Sequence, residues 1–268
     1  MVFVIISQFN KIGKVLGEII LKYSIQNHYQ NLAHKYNNFW GYSPEFIDSL
    51  TKKIIEYLKL TDTDKLVDLG CGTGLYTQAI VSKISFKHPV ICVDPSDQMI
   101  EQIPKNSQYK TLVNDAVNFA DEPGQYNKIL IKEMIHHIDD KEKLLKGLFE
   151  RLTPEGILLL ILLPPTIEYP LFVDALRTYE AVQPNYNNLV DLFTKIGFQT
   201  IVNFVDYPVS IPKGKYFEMV QNRYMSLLSR FDDEQLKKGL IEMQEKYHDQ
   251  SNLEFCDRFV FLSAIKPK

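Results

Sequence analysis

No Cys-x-x-Cys pair occurs in this chain. Its three cysteines, Cys71, Cys92 and Cys256, are odd in number and widely spaced. That excludes a disulfide framework or a zinc site built on cysteine and fits a reducing compartment. A basic excess is missing as well: 30 Lys and Arg stand against 33 Asp and Glu, for a formal net charge of -3. Wholesale binding to a phosphate backbone is not expected from that balance, so nucleic acid is not an expected partner. Long apolar runs are absent, the longest being residues 156–163, far short of the ~20 residues a membrane helix needs. The opening Met-Val-Phe-Val-Ile-Ile breaks at Ser7-Gln8 without a basic flank or a small-residue cleavage site, which argues against a signal peptide. The expectation is a cytoplasmic protein with no membrane partner. No internal repeat, low-complexity tract or Gly/Ser linker divides the chain.

What is present is ordinary globular material: 268 residues, 45% hydrophobic and 24% charged, the size of one large domain or of a core with a cap. Lys11, Lys14 and Lys22 lie among Ile12, Val15, Leu16, Ile19 and Ile20, a pattern for an amphipathic helix that docks on the protein's own body or touches a membrane surface. Residues 44–60 carry apolar positions at helical spacing behind Ser43 and Pro44, a cap and a first-turn residue. From there β-like runs at 65–69, 90–94, 110–113, 128–132 and 156–163 alternate with helix-like stretches at 75–84, around Met99, and at 141–152 behind Asp139 or Asp140. A helix at 189–196 ending on Gly197, a strand at 198–205 and a last strand at 258–265 complete the series. Alternation of this kind predicts an α/β fold, a mostly parallel seven-stranded sheet with helices on both faces. Two stretches break it, 166–186 and 208–255. The second carries helix-like patterns at 216–229 and 232–247 and is longer than a hairpin loop requires. It reads as a helical cap inserted before the last strand. The expected division is an N-terminal helical segment 1–60, a core of 61–207 and 256–268, and a helical cap 208–255.

The informative segment is Val67-Asp68-Leu69-Gly70-Cys71-Gly72-Thr73-Gly74, at a strand end and opening a helix. Glycines there permit positive φ and close approach of a ligand to the backbone. The nicotinamide-dinucleotide fingerprint wants a sixth-position glycine, which here is Leu75. Asp68 before the turn would repel a pyrophosphate and attract a cationic ligand. With this turn stand Val93-Asp94-Pro95-Ser96 after the second strand, Asn114-Asp115-Ala116 after the third, and Ile129-Leu-Ile-Lys-Glu-Met-Ile-His-His-Ile at the fourth.

In these four ordered motifs the sequence resembles the class I S-adenosylmethionine-dependent methyltransferases of small-molecule type. The likeness is close over 64–163 and one of layout over 198–268. It implies a Rossmann-like sheet, S-adenosylmethionine as cofactor, and methyl transfer to a small-molecule acceptor, at oxygen or carbon. It implies a cofactor site made of Asp68, Gly70, Cys71, Gly72 and Gly74 at the amino-acid end and Asp94 with Pro95 at the ribose. Met99, Asp115 and Ala116 would lie at the adenine, and Lys132 and Glu133 on the methyl-donor side. Taken singly, Asp68 reads equally as a helix cap, Asp94-Pro95 as a turn pair and Met99 as core. His137 and His136 stand where the family places substrate-facing residues. Either can act as general base near neutral pH, and packing is the other reading of the pair. Glu133 is a further candidate base.

The missing Asn/Asp-Pro-Pro-Tyr after the fourth strand and the missing Pro-Cys pair speak against amide or adenine N-methylation and against covalent C5-pyrimidine chemistry. Neither the six histidines nor Asp139-Asp140 has metal-ligand spacing, so no metal is expected. In the cap, Arg223 is the candidate reader of an anionic acceptor, with Tyr216 beside it on a helical stripe that also includes Met219, Val220, Tyr224 and Leu227. Trp40, with Tyr36 and Phe39, is placed over the cofactor, or in the interior. Two other readings use the same motifs, a tRNA or other nucleic-acid methyltransferase and a non-catalytic cofactor-binding scaffold.

Overall fold

A computed structural model of the protein describes residues 43–268. The N-terminal amphipathic pattern, Tyr36, Phe39 and the candidate substrate residue Trp40 lie outside the described residues. The first described helix, α1 (Pro44–Leu58), starts where Ser43 accepts from the Phe46 amide at 3.2 Å, and it buries Leu50, Thr51, Ile54 and Leu58. It leads into β1 (Leu66–Leu69), α2 (Leu75–Val81), β2 (Val90–Asp94), α3 (Asp97–Ile100), β3 (Tyr109–Val113), α4 (Ala116–Asp121) and β4 (Tyr126–Lys132). There follow α5 (Lys141–Arg151), β5 (Leu152–Leu162), α6 (Val173–Val182), α7 (Tyr186–Ile196), β6 (Gln199–Pro212), α8 (Lys213–Gln221), α9 (Asp233–Lys246) and β7 (Asn252–Ile265). Asp140 caps α5 through the Lys143 amide at 2.9 Å, and Gly197 in the left-handed region ends α7.

The seven strands lie in the order β3-β2-β1-β4-β5-β7-β6. The first five are parallel, and β7 runs antiparallel between β5 and β6. The mostly parallel seven-stranded sheet expected from the alternation is therefore present. Side chains of β5 are buried without a break from Ile157 to Leu162, as a strand covered on both faces requires. Helices α1, α2, α6, α8 and α9 cover one face, and α4, α5 and α7 the other.

Three features depart from the sequence reading. First, β6 and β7 pair over fourteen positions, from Gln199↔Ile265 to Pro212↔Asn252. They extend past the end of β5 as a two-stranded ribbon, and the helical stretch 213–251 joins their tips. Pro208 and Pro212 look like strand breakers in sequence, but β6 is an edge strand, where a residue without an N–H leaves one side unpaired at no cost. Second, α6 occupies part of 166–186. Third, the helix expected over 216–229 is broken. It stops at Gln221, Arg223 takes φ +54°, and a 3-10 turn follows at Ser226–Arg230. In a continuous helix, Tyr216 and Tyr224 would sit ~12 Å apart along the axis. The break lets their hydroxyls meet at 2.9 Å in the interior, a hydrogen bond between two buried phenols.

One close approach between α9 and the body can be tested directly. A Cβ placed on Gly239, in the middle of α9, would come within 2.5 Å of the buried Phe172 ring. Replacing it by Val is expected to cost ~1–3 kcal/mol through overpacking, which at ~2–4 °C per kcal/mol lowers the melting temperature by several degrees. A melting curve identical to the parent would mean that α9 does not rest on that ring.

Candidate active site

The site is built at the C-terminal ends of β1, β2 and β4. After β1 the chain turns through Gly70, Gly72 and Gly74, with φ of +77°, +54° and +71°. Three left-handed residues in five make the turn tight. The Gly70 and Cys71 amides both donate to the Val93 carbonyl, at 2.8 and 3.1 Å, tying the turn to β2. Gly70 tolerates no side chain, because its Cβ would lie 2.6 Å from Met134 Cγ. At Gly72 a Cβ would meet nothing within 4 Å among the described residues, so no described side chain fills the space in front of that backbone.

Two carboxylates flank this opening. Asp68, 5% exposed, accepts from the Thr77 hydroxyl in α2. Its side chain therefore bonds within the first turns of the next helix, without capping it. Burial pushes its pKa up from 3.8 to about 6, against the Thr77 hydrogen bond, and the Asp94 charge adds to the rise. Asp94 accepts from the Gly72 amide with one oxygen and from the Ser96 amide with the other, both at 2.9 Å. Burial raises its pKa too, and those two amides pull the other way. Asp68 pairs with Cys92 in register, two residues before Asp94. Their side chains share the face of the sheet that carries Leu66 and Cys92, the α1/α2 face.

The remaining cofactor candidates are placed as follows. Pro95 is exposed, Met99 is buried at 2%, and Ala116 is buried at 7%. Asp115 caps α4, accepting from the Val117 and Asn118 amides at 2.9 Å each. Cys71 is half-buried, and contact with Cys92 together with burial raises its thiol pKa, which suits a packed residue and not a nucleophile. Glu133 has φ +55°; its amide donates to the Ile161 carbonyl at 2.9 Å and its carboxylate accepts from the Leu163 amide at 3.0 Å. It stitches the ends of β4 and β5 together, and burial raises its pKa.

The family comparison decides what this arrangement is. The family described as "Methyltransferase domain" matches residues 39–202, well over half of the chain. This chain is a class I S-adenosylmethionine-dependent methyltransferase by family. Among curated relatives, malonyl-[acyl-carrier protein] O-methyltransferase of Bacillus cereus is 25% identical over 143 residues, 53% of each chain. The mitochondrial ubiquinone biosynthesis O-methyltransferase of Saccharomyces cerevisiae is 25% identical over 135 residues, 46% of this chain and 43% of that one. The chain thus spans about half the length of the curated relatives it matches. A solved methyltransferase from an antibiotic biosynthesis pathway of Anabaena variabilis has a TM-score of 0.60 at 17% identity, covering 80% of this chain and 96% of its own. Phosphoethanolamine N-methyltransferase 2 of Haemonchus contortus has a TM-score of 0.58 at 17% identity, covering 91% and 60%. These likenesses establish the fold.

In this methyltransferase the histidine pair forms a 3-10 turn, Ile135–His137, after β4, with ring centroids 4.0 Å apart. Burial, then the neighbouring His137 and Lys141, push the His136 pKa well down, so His136 is neutral near pH 7. Its Nδ1 is buried and has no hydrogen-bond partner among the described residues. Arg223 is spoken for: it donates to the Phe231 carbonyl at 3.2 Å and to Asp233 at 2.7 Å. Tyr216 is fully enclosed. Sequence reasoning missed three side chains on the same face of the sheet as Asp68. Tyr76 opens α2, Tyr169 follows β5, and Asp257, 2% exposed, lies on the ribbon of β7. The Tyr169 hydroxyl donates to Asp257. No local pattern marks any of them, since only the fold brings residues 76, 132, 169 and 257 together.

Proposed function

We propose that this chain moves a methyl group from S-adenosylmethionine to a small-molecule acceptor, at oxygen or carbon. The observation that carries the reading is the pair of buried acids, Asp68 and Asp94, on one face at the ends of neighbouring strands, with the open Gly72 backbone between them. A ligand with cationic character relieves the burial cost that raises both carboxylates, and a ribose offers two hydroxyls to an acid at the end of β2. The cofactor, when bound, supplies an electrophilic methyl on a sulfonium.

The protein's own groups do the rest. Asp68 and the turn Gly70, Cys71, Gly72 and Gly74 hold the amino-acid end, Asp94 and Pro95 the ribose, and Met99, Asp115 and Ala116 the adenine side. Glu133 fixes the edge where β4 meets β5. His137, or the neutral His136 whose Nδ1 has no partner among the described residues, can take a proton from an acceptor hydroxyl. The core 61–207 and 256–268 carries the cofactor, and the stretch 208–255 closes the acceptor side. Orientation and exclusion of water contribute ~7–11 kcal/mol in reactions of this kind.

The test has two parts. Titration calorimetry should show S-adenosylhomocysteine binding, and incubation of metabolite extracts with methyl-labelled S-adenosylmethionine should yield labelled small molecules by mass spectrometry. Absence of S-adenosylhomocysteine binding would overturn the reading.

A further inference from the structure

Lys132 is the last residue of β4, and its side chain points to the same face as Leu130, on the side of α1 and α2. Its ammonium lies 4.9 Å from the Tyr76 ring centroid and 5.5 Å from that of Phe259. Among the described residues it has no hydrogen-bond acceptor and no ion pair, whereas Lys83, Lys143, Lys146 and Lys195 each meet a carboxylate oxygen within 3.2 Å. Aromatic faces repay part of the cost of removing an ammonium from water. They do not replace an oxygen acceptor, and the half-buried Lys132 keeps a donor that a ligand oxygen can engage.

The surroundings say where the missing acceptor comes from. Phe259 is on β7, two strands from β4 on the side away from β1 and β2, so the ammonium leans from the cofactor half toward the ribbon. Asp257 is the next residue on that face of β7, bonded by Tyr169, and Phe255 packs on Tyr169 at 4.9 Å. The nearby carboxylates are engaged elsewhere: Asp68 with Thr77, Glu133 with the Leu163 amide, Asp257 with Tyr169. Arg223, the sequence's own candidate for an anion, is committed to Asp233.

We infer that Lys132 selects the acceptor: it takes a singly charged oxygen of a small molecule, a carboxylate, phenolate or enolate, with the Tyr169–Asp257 pair as the wall beside it. The inference rests on the methyltransferase reading above and deepens it. A cation with no acceptor of its own forms a charge-assisted hydrogen bond to such an oxygen.

The test uses Lys132→Met, which keeps the length of the side chain and removes the charge, and Lys132→Arg, which keeps the charge. Calorimetry with S-adenosylhomocysteine and with 5′-methylthioadenosine, which lacks the amino-acid end, is run on the parent and both variants. Labelling of metabolite extracts with methyl-labelled S-adenosylmethionine is run beside it. The expected result is S-adenosylhomocysteine affinity within about twofold of the parent in Lys132→Met. Labelled products should derive from acceptors bearing a carboxylate, phenolate or enolate. Their yield should fall at least tenfold in Lys132→Met and recover in part in Lys132→Arg. A tenfold loss of S-adenosylhomocysteine affinity with 5′-methylthioadenosine unaffected would assign Lys132 to the cofactor's own carboxylate and overturn the inference. Parent-like yields from Lys132→Met, or products from acceptors without such an oxygen, would overturn it too. A parent chain that binds neither nucleoside brings down the functional reading itself, a separate result.

Discussion

Asp94→Ala is expected to weaken S-adenosylhomocysteine binding about a hundredfold. The carboxylate has two tasks. Within the chain it accepts from the Gly72 and Ser96 amides, holding the glycine turn against the end of β2. In the proposed site its remaining lone pairs would accept from the ribose hydroxyls. A hydrogen bond to a charged group contributes ~1.5–3 kcal/mol, and loss of the ribose contact together with loosening of the turn reaches the upper part of that range, about two powers of ten. Asp94→Asn separates the tasks. It keeps an acceptor oxygen and loses the charge, so its loss should be intermediate. Calorimetry on both variants, with melting curves to verify folding, measures this directly. Parent-like affinity in Asp94→Ala would remove the residue from the site.

The parts of this molecule that were legible in its sequence are those whose cause is local. The glycine turn demands glycine because of its own backbone angles. The buried run of β5 is apolar because both its faces are covered, and Asp140 and Gly197 bound their helices by bonds a few residues long. Asp68 and Asp94 were legible for the same reason, each being fixed by the strand end it occupies. What escaped depends on distant partners. The continuous helix expected over 216–229 satisfied the apolar periodicity, but it ignored two phenols that must find each other once buried, and the break at Arg223 brings them together. Pro208 suggested the end of a strand because nothing local says that β6 is an edge. The sequence reading assigned Arg223 to an anionic acceptor and Lys132 to the cofactor, and neither assignment could see the partners that packing supplies. Asp233, ten residues from Arg223, engages the first, and among the described residues the second meets only the rings of Tyr76 and Phe259. Tyr169 and Asp257, 88 residues apart, carried no signal at all.

Asp68 sets the second large expectation, in which stability and binding move in opposite directions. Its pKa stands at about 6, above the ordinary 3.8, chiefly because burial penalises the charged form. An acid raised on folding favours the folded state most when it is protonated. Its contribution is therefore full below 3.8, declines as the pH rises from 3.8 to about 6, and is absent above that. The rise corresponds to about 3 kcal/mol. Asp68→Asn keeps an acceptor for the Thr77 hydroxyl and has no charge to bury. The unliganded variant should be more stable than the parent at pH 7.5, by up to about 3 kcal/mol, with the gap closing below pH 4. The ionised carboxylate that costs stability is the form that attracts a cationic ligand. Parent affinity for S-adenosylhomocysteine should therefore fall close to tenfold per pH unit below about 6, whereas Asp68→Asn should bind more weakly at pH 7.5 and lose that pH dependence. Melting and calorimetry at pH 4, 6 and 7.5 separate the two effects. A variant no more stable than the parent at pH 7.5 would show that the buried acid is already compensated within the chain. It would then have no unmet charge to offer a ligand, and the attraction on which the cofactor site depends would have to come from elsewhere.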